Sequence, residues 1–259
     1  MTRGDILLVH GAFAGSWVFE NLRMRLSRQG WKTHAPDLPF HDPGFAGKEP
    51  HPDLPRQGLA EYRRFLAAEI ARLPQPPVLV GHSLGGLLAQ QLAAEGLARA
   101  AILLAPSPPW GVWPHSRTEV ETAFGLLWHS HDLWRKAVQP DYATAIRYSM
   151  DRLPPALQRD SFARLVPESG RALFETIHWW LDWQAASRVS AYRVQVPLLL
   201  LVGSDDKVNS PGTCRAIARR YGRRATYREI ADMSHFIFGE PGEARVTDIM
   251  LDWLESTAA

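Results

Sequence analysis

Four short apolar runs without polar alternation punctuate the chain: Ile6-Leu7-Leu8-Val9, Val78-Leu79-Val80, Ala101-Ile102-Leu103-Leu104 and Val196 to Val202. Such runs suit strands buried on both faces, as a parallel sheet requires. Two weaker runs, Lys32 to Ala35 and Ala225 to Ile230, mix in polar residues and suit places nearer the sheet edges. Between them the spacing turns helical. Trp17 to Gln29 has Ser16 as N-cap and Gly30 as stop. Leu59 to Leu73 sets Leu59, Tyr62, Leu66, Ile70 and Leu73 on one stripe ahead of Pro74. Leu84 to Glu95 ends at Gly96, Cys214 to Tyr221 ends at Gly222, and Ala244 to Leu254 is the last helical pattern. Strand–helix–strand repetition predicts an α/β fold, a doubly wound, mainly parallel sheet of about six strands with helices on both faces.

Two stretches break this rhythm. Asp37 to Gly58 carries Pro39, Pro43, Pro50, Pro52 and Pro55 and reads as a long loop. Residues 107–190 show helix-like patterns and no convincing strand, and they hold seven of the ten tryptophans. The expected organisation is therefore a core of residues 1–106 and 191–259, interrupted by a helical, tryptophan-rich cap over 107–190.

Composition narrows the function classes. The lone Cys214 excludes an intrachain disulfide framework and a cysteine-rich zinc site. A net charge of +2 gives no nucleic-acid footprint. No apolar run approaches the roughly 18 residues of a membrane span. Ile6 to Val9 is too short for the apolar centre of a signal peptide, so the expected compartment is the cytoplasm. The pair His129 and His131 sits at i, i+2, pointing to different sides of a helix, and no metal or other cofactor is expected.

The chemistry concentrates at Gly81-His82-Ser83-Leu84-Gly85-Gly86, which follows one apolar run and opens a helical one. This is the strand–turn–helix setting of a G-x-S-x-G elbow, where a strained serine is lifted above the sheet edge. Gly81 and Gly85 leave room across the turn, and the helix N-terminus offers unpaired N–H groups to a developing oxyanion. A serine nucleophile needs a base, itself oriented by a carboxylate. Gly203 to Val208 follows one strand and Met233-Ser234-His235-Phe236 another, each at a C-terminal strand end.

Together His10-Gly11-Ala12-Phe13, Asp37-Leu38-Pro39, the run from Gly81 to Gly86, Gly203 to Val208 and His235-Phe236 resemble the α/β-hydrolase superfamily, in its serine esterase and lipase branch with a helical cap. The likeness spans nearly the whole core with the motifs in family order. It departs by starting at the family's third strand, by Asp37-Leu38-Pro39-Phe40-His41-Asp42-Pro43 in place of the usual glycine-rich entrance run, and by the tryptophan-rich cap. The resemblance implies Ser83 as nucleophile, His235 as general base and Asp206, preferred over Asp205, as orienting acid. Asp232 reads as a solvated loop residue, and Ala105 to Pro109 offers no competing carboxylate. It also implies an oxyanion hole from the backbone N–H groups of Leu84 and Ala12, with Phe13 serving if the loop shifts by one. His10 and His82 read as structural.

For the substrate pocket, Phe13, Trp110, Trp113, Trp128, Trp180 and Phe236 are the expected apolar lining, half of the cap tryptophans being needed for its own packing. Arg117, Arg135 and Arg147 are left open as contacts for an anion. The expected function is hydrolysis of small to medium apolar carboxylic esters, or of thioesters and lactones, through an acyl-enzyme. The expected partners are a small-molecule ester and water, without nucleic acid. Alternatives are a diketone-type carbon–carbon bond hydrolase on the same triad and a non-catalytic ligand-binding module. Ser83 speaks against an aspartate-nucleophile relative, and Ala12 and Phe236 against a hydroxynitrile lyase. Oligomeric state is left open.

Overall fold

In the computed structural model, which describes residues 3–121 and 132–258, six parallel strands form the central sheet. These are β1 Gly4–Val9, β2 Trp31–His34, β3 Val78–His82, β4 Ala100–Leu104, β7 Leu198–Gly203 and β8 Ala225–Ile230, in spatial order β2-β1-β3-β4-β7-β8. The register sets Ile6 beside Val78, Val80 beside Ile102 and Leu103 beside Leu200. The two polar-mixed runs are the two edges, as expected.

Side chains alternate between sheet faces, and each face of these strands meets a helical layer, which is why the central runs are apolar throughout. Ile6, Leu8, Val80, Ile102 and Leu199 pack with α1 Glu20–Arg28 and the last helix, α7 Glu243–Ala258. Leu7, Val9, Leu79, Leu103 and Leu200 pack with α2 Leu59–Ile70, α3 Leu84–Ala94 and α6 Pro211–Tyr221. The α2 stripe Leu59, Tyr62, Leu66 and Ile70 is buried as the spacing predicted.

Local readings differ in two places. The expected helix at Trp17 begins as a 3-10 turn, Ser16–Phe19, before α1, and Ser16 does not cap it with its side chain. Instead the Ser16 N–H donates to Asp37 Oδ1 at 2.5 Å, tying this turn to the proline-rich loop. The second difference lies between β4 and β7, where strands were not expected. There β5 Ala137–Val138 and β6 Glu168–Ser169 pair antiparallel, beside α4 Pro155–Ala163, α5 Gly170–Ile177 and a π-helical turn, Ala145–Ser149. Two-residue strands carry no periodicity, so only the fold itself brings them together. Among the described residues, no helix is long and apolar enough to cross a membrane.

Candidate active site

Ser83 stands between β3 and α3 with φ 52° and ψ −117°, a left-handed conformation costly for a residue with a side chain. Its surroundings enforce it. The Ser83 N–H donates to Leu104 O at 3.0 Å, and its carbonyl accepts from the N–H groups of Gly86 and Ser107, each at 2.9 Å. A Cβ on Gly81 would lie 2.2 Å from Gly85 O, and one on Gly85 would lie 2.1 Å from Val9 O. The first glycine serves the turn itself, the second the approach of α3 to β1. Leu84 begins α3, so its N–H belongs to the unpaired first turn.

The loop after β7 delivers Asp206. Its side chain is fully buried, and Oδ2 accepts from His235 Nδ1 at 2.9 Å. Oδ1 accepts from the N–H groups of Val208 and Asn209, both at 2.8 Å, so three N–H groups hold one carboxylate in place. Asp205 points elsewhere and pairs with Arg152. Asp232 is a loop residue with a 79% exposed side chain. With Nδ1 engaged, Nε2 is the His235 nitrogen left for the cavity that His235 and Ser83 both line.

Three further groups secure the loop that carries His235. His82 Nε2 donates to the His235 carbonyl at 3.0 Å. Burial, with the neighbouring His235 ring, pushes the His82 pKa down to about 3, which keeps it a neutral strut. Ser149 O, at the end of the π-helical turn, accepts from Phe236 N–H at 2.8 Å and from Ser234 Oγ at 2.9 Å, gripping both flanks of the histidine. The Glu240 carboxyl accepts from the Ser234 N–H at 2.9 Å and also meets its hydroxyl, and burial raises its pKa.

On the facing side, the His10 ring donates from Nδ1 to Gly11 O at 2.8 Å and accepts the Leu38 N–H on Nε2 at 2.9 Å. Burial, then the neighbouring His41, lowers its pKa to about 4. Gly11 C=O and Ala12 N–H share one peptide plane, so this contact fixes the direction of the Ala12 N–H. The Phe13 N–H is engaged elsewhere, with Glu168 Oε2 at 3.4 Å, which favours Ala12 over Phe13 as a donor to the cavity.

The cavity measures about 320 Å³ and is lined by Ala12, Phe13, Ser83, Leu84, His235 and Phe236, among others. Among its described lining residues there is no lysine or arginine, so Arg117, Arg135 and Arg147 are not anion contacts here. The expected aromatic wall is corrected. Phe13 and Phe236 line the cavity, but Trp110, Trp113 and Trp180 do not. Those three gather around Trp179, with Trp113 4.7 Å and Trp110 5.5 Å from it between ring centroids and Trp180 at 5.9 Å. Trp179 alone of this cluster reaches the cavity, while Trp113 is 57% exposed. Trp128, with His129 and His131, lies outside the described residues. Trp179, Ser149 and Glu168 escaped the sequence reading because no motif or spacing marks them.

A strained serine at a strand–helix elbow thus shares one cavity with a histidine that is paired with a buried carboxylate. The chain belongs to the alpha/beta hydrolase family, whose profile matches residues 6–247. It is similar to the pimeloyl-[acyl-carrier protein] methyl ester esterase of Chromobacterium violaceum, 28% identical over 90% of this chain and 88% of that one. It is also 37% identical to the pyrethroid hydrolase of Sphingobium wenxiniae over 40% of this chain, about a third of that relative's length (35%). The methylesterase MES16 of Arabidopsis shares the fold with a TM-score of 0.72 at 19% identity, covering 97% of this chain and 98% of that one.

Proposed function

We propose that this protein is a serine hydrolase that cleaves small to medium apolar carboxylic esters through an acyl-enzyme. The observation that carries this is the His235 Nδ1–Asp206 Oδ2 contact of 2.9 Å, made by a histidine that shares its apolar cavity with Ser83. In this reading Ser83 Oγ attacks the ester carbonyl and passes its proton to His235 Nε2, while Asp206 stabilises the imidazolium. The N–H groups of Ala12 and Leu84 hold the oxyanion, each such donor contributing about 100-fold or more in rate. The imidazolium then protonates the departing alcohol, and water, deprotonated by His235, releases the acid. Thioesters and lactones fit the same cycle.

Residues 107–190 act as a cap in this scheme, supplying Trp179, Leu173 and Tyr148 to the cavity wall. A wall without lysine or arginine among its described residues favours uncharged acyl groups, in a small-molecule substrate met in the cytoplasm. Ester hydrolysis by the relatives supports the same class. Ser83→Ala should lower turnover of p-nitrophenyl butyrate by about 10⁴-fold or more with an unchanged melting temperature. It should also abolish labelling by a fluorophosphonate probe. Retained turnover in that variant removes Ser83 from the mechanism.

A further inference from the structure

Glu168, on β6, is a fully buried acid that plays no part in the triad. Both of its oxygens are saturated. Oε1 accepts the Tyr62 hydroxyl and the Ser169 N–H, each at 2.7 Å. Oε2 accepts from His41 Nε2 at 3.0 Å and from the Phe13 N–H at 3.4 Å. One carboxylate thus gathers α2, the loop after β1, the loop after β2 and β6.

His41 is buried as well, and its other nitrogen, Nδ1, faces Pro39 O at 3.0 Å. Two acceptors, one at each ring nitrogen, can be satisfied together only by the doubly protonated imidazolium. The titration directions agree. Burial alone would lower the His41 pKa, but Glu168 outweighs it and raises it, and His41 in turn pulls Glu168 down against its own burial. The result is a neutralised ion pair placed behind the loop that carries Ala12 and Phe13. Breaking such a pair on one side leaves an uncompensated buried charge.

Phe13 is held at φ 62°. Its N–H is taken by Glu168, and its carbonyl accepts the Val166 N–H at 2.9 Å, so one short stretch, Val166 to Glu168, fastens both of its polar backbone atoms. Ala12 lies between this anchor and Gly11, whose carbonyl His10 holds. We propose that Glu168, paired with His41, is a positioning residue that locks Phe13 in its left-handed conformation and thereby aims the Ala12 N–H at the reacting carbonyl oxygen. The inference rests on the serine-hydrolase reading above. It assigns to a cap residue the task of building half of the oxyanion hole. A carboxylate fits best, because an amide at this place turns its NH₂ toward a backbone N–H, that of Ser169 or of Phe13, whichever way it is flipped.

The test is Glu168→Gln in the full chain, assayed with p-nitrophenyl butyrate, a fluorophosphonate probe and a boronic acid that forms a tetrahedral adduct on serine. Turnover should fall roughly 10- to 100-fold with KM within about twofold, and labelling and boronate affinity should fall in step. Tyr62→Phe, which removes a donor from Oε1 alone, should lower the melting temperature while leaving kcat near wild type. An equal loss of kcat in both variants, tracking their melting temperatures, overturns the positioning role. So does a folded Glu168→Gln enzyme with wild-type kcat and labelling. Should that variant not fold, His41→Gln carries the test: a fall in kcat at constant KM supports the inference and an unchanged kcat overturns it. Wild-type protein that takes no fluorophosphonate overturns the serine reading itself, which separates the two failures.

Discussion

At Asp205 and Asp206, adjacent carboxylates meet different fates because successive side chains of this loop point apart. Asp206 goes inward to His235 and two backbone N–H groups, and Asp205 goes outward to Arg152. Asp206→Asn should therefore cost about 10⁴-fold in kcat, since an amide facing Nδ1 favours the wrong imidazole tautomer. Asp205→Asn loses a partly exposed ion pair, worth about 0–1 kcal/mol, and should keep kcat within about twofold. Steady-state turnover of the two variants on one ester decides it, and a reversal of their order removes Asp206 from the site. In the sequence only the resemblance to the family sets Asp206 ahead of Asp205. The tryptophans were not separable there. Which of several rings reaches a cavity depends on how they pack on each other, and Trp113 and Trp180 stack 5.8 Å apart instead of facing inward.

Among the elements, the four central strands were legible because burial on both faces leaves an unbroken apolar signature, the two edge strands showed only as weaker, polar-mixed runs, and the helix stops were legible through Gly30, Gly96 and Gly222. The strands β5 and β6 were not, since each consists of two residues whose pairing is purely tertiary. Glu168 and Ser149 stayed hidden because one is a lone acid in a segment without motif or period, and the other acts through its carbonyl. Helix α3 shows how differently two glycines serve one element. A Cβ at Gly85 would strike Val9 O at 2.1 Å, whereas at Gly96 nothing stands within 4 Å and only φ of 78° resists a side chain. Gly85→Ala should force α3 off β1 and cost upwards of about 4 kcal/mol, enough to prevent folding of many domains. Gly96→Ala should cost about 1 kcal/mol through backbone strain alone. Urea midpoints of the two variants test this, and equal losses would mean that contact with β1 does not set the place of α3.

Over the whole molecule, buried histidines couple stability to pH. His10 and His82 are held neutral in the fold, with pKa values near 4 and near 3 against 6.5 for a free imidazole. Their contribution is complete above pH 6.5 and is lost as pH falls toward those folded values, because the unfolded chain takes up protons that the fold refuses. Each costs about 2 kcal/mol by pH 5, a large share of a typical 5–15 kcal/mol stability. His178, lowered by burial to about 4, acts in the same direction. His41, whose pKa the fold raises, works against this slope, because its contribution is full only below the unfolded value of 6.5 and declines as pH rises above it. Glu175 and Glu240, raised by burial, oppose the trend as pH climbs above their ordinary range. The histidines should prevail, so the urea midpoint falls between pH 7 and pH 5. His178 isolates the effect. Neither of its ring nitrogens has a hydrogen-bond partner among the described residues, and it packs between Phe174 and Trp180 at 5.8 and 5.3 Å. His178→Phe keeps that aromatic packing and removes a group the fold cannot protonate. Its midpoint should exceed wild type at pH 7 and exceed it by more at pH 5. An advantage that does not grow on acidification would show that His178 takes up its proton without disturbing the fold.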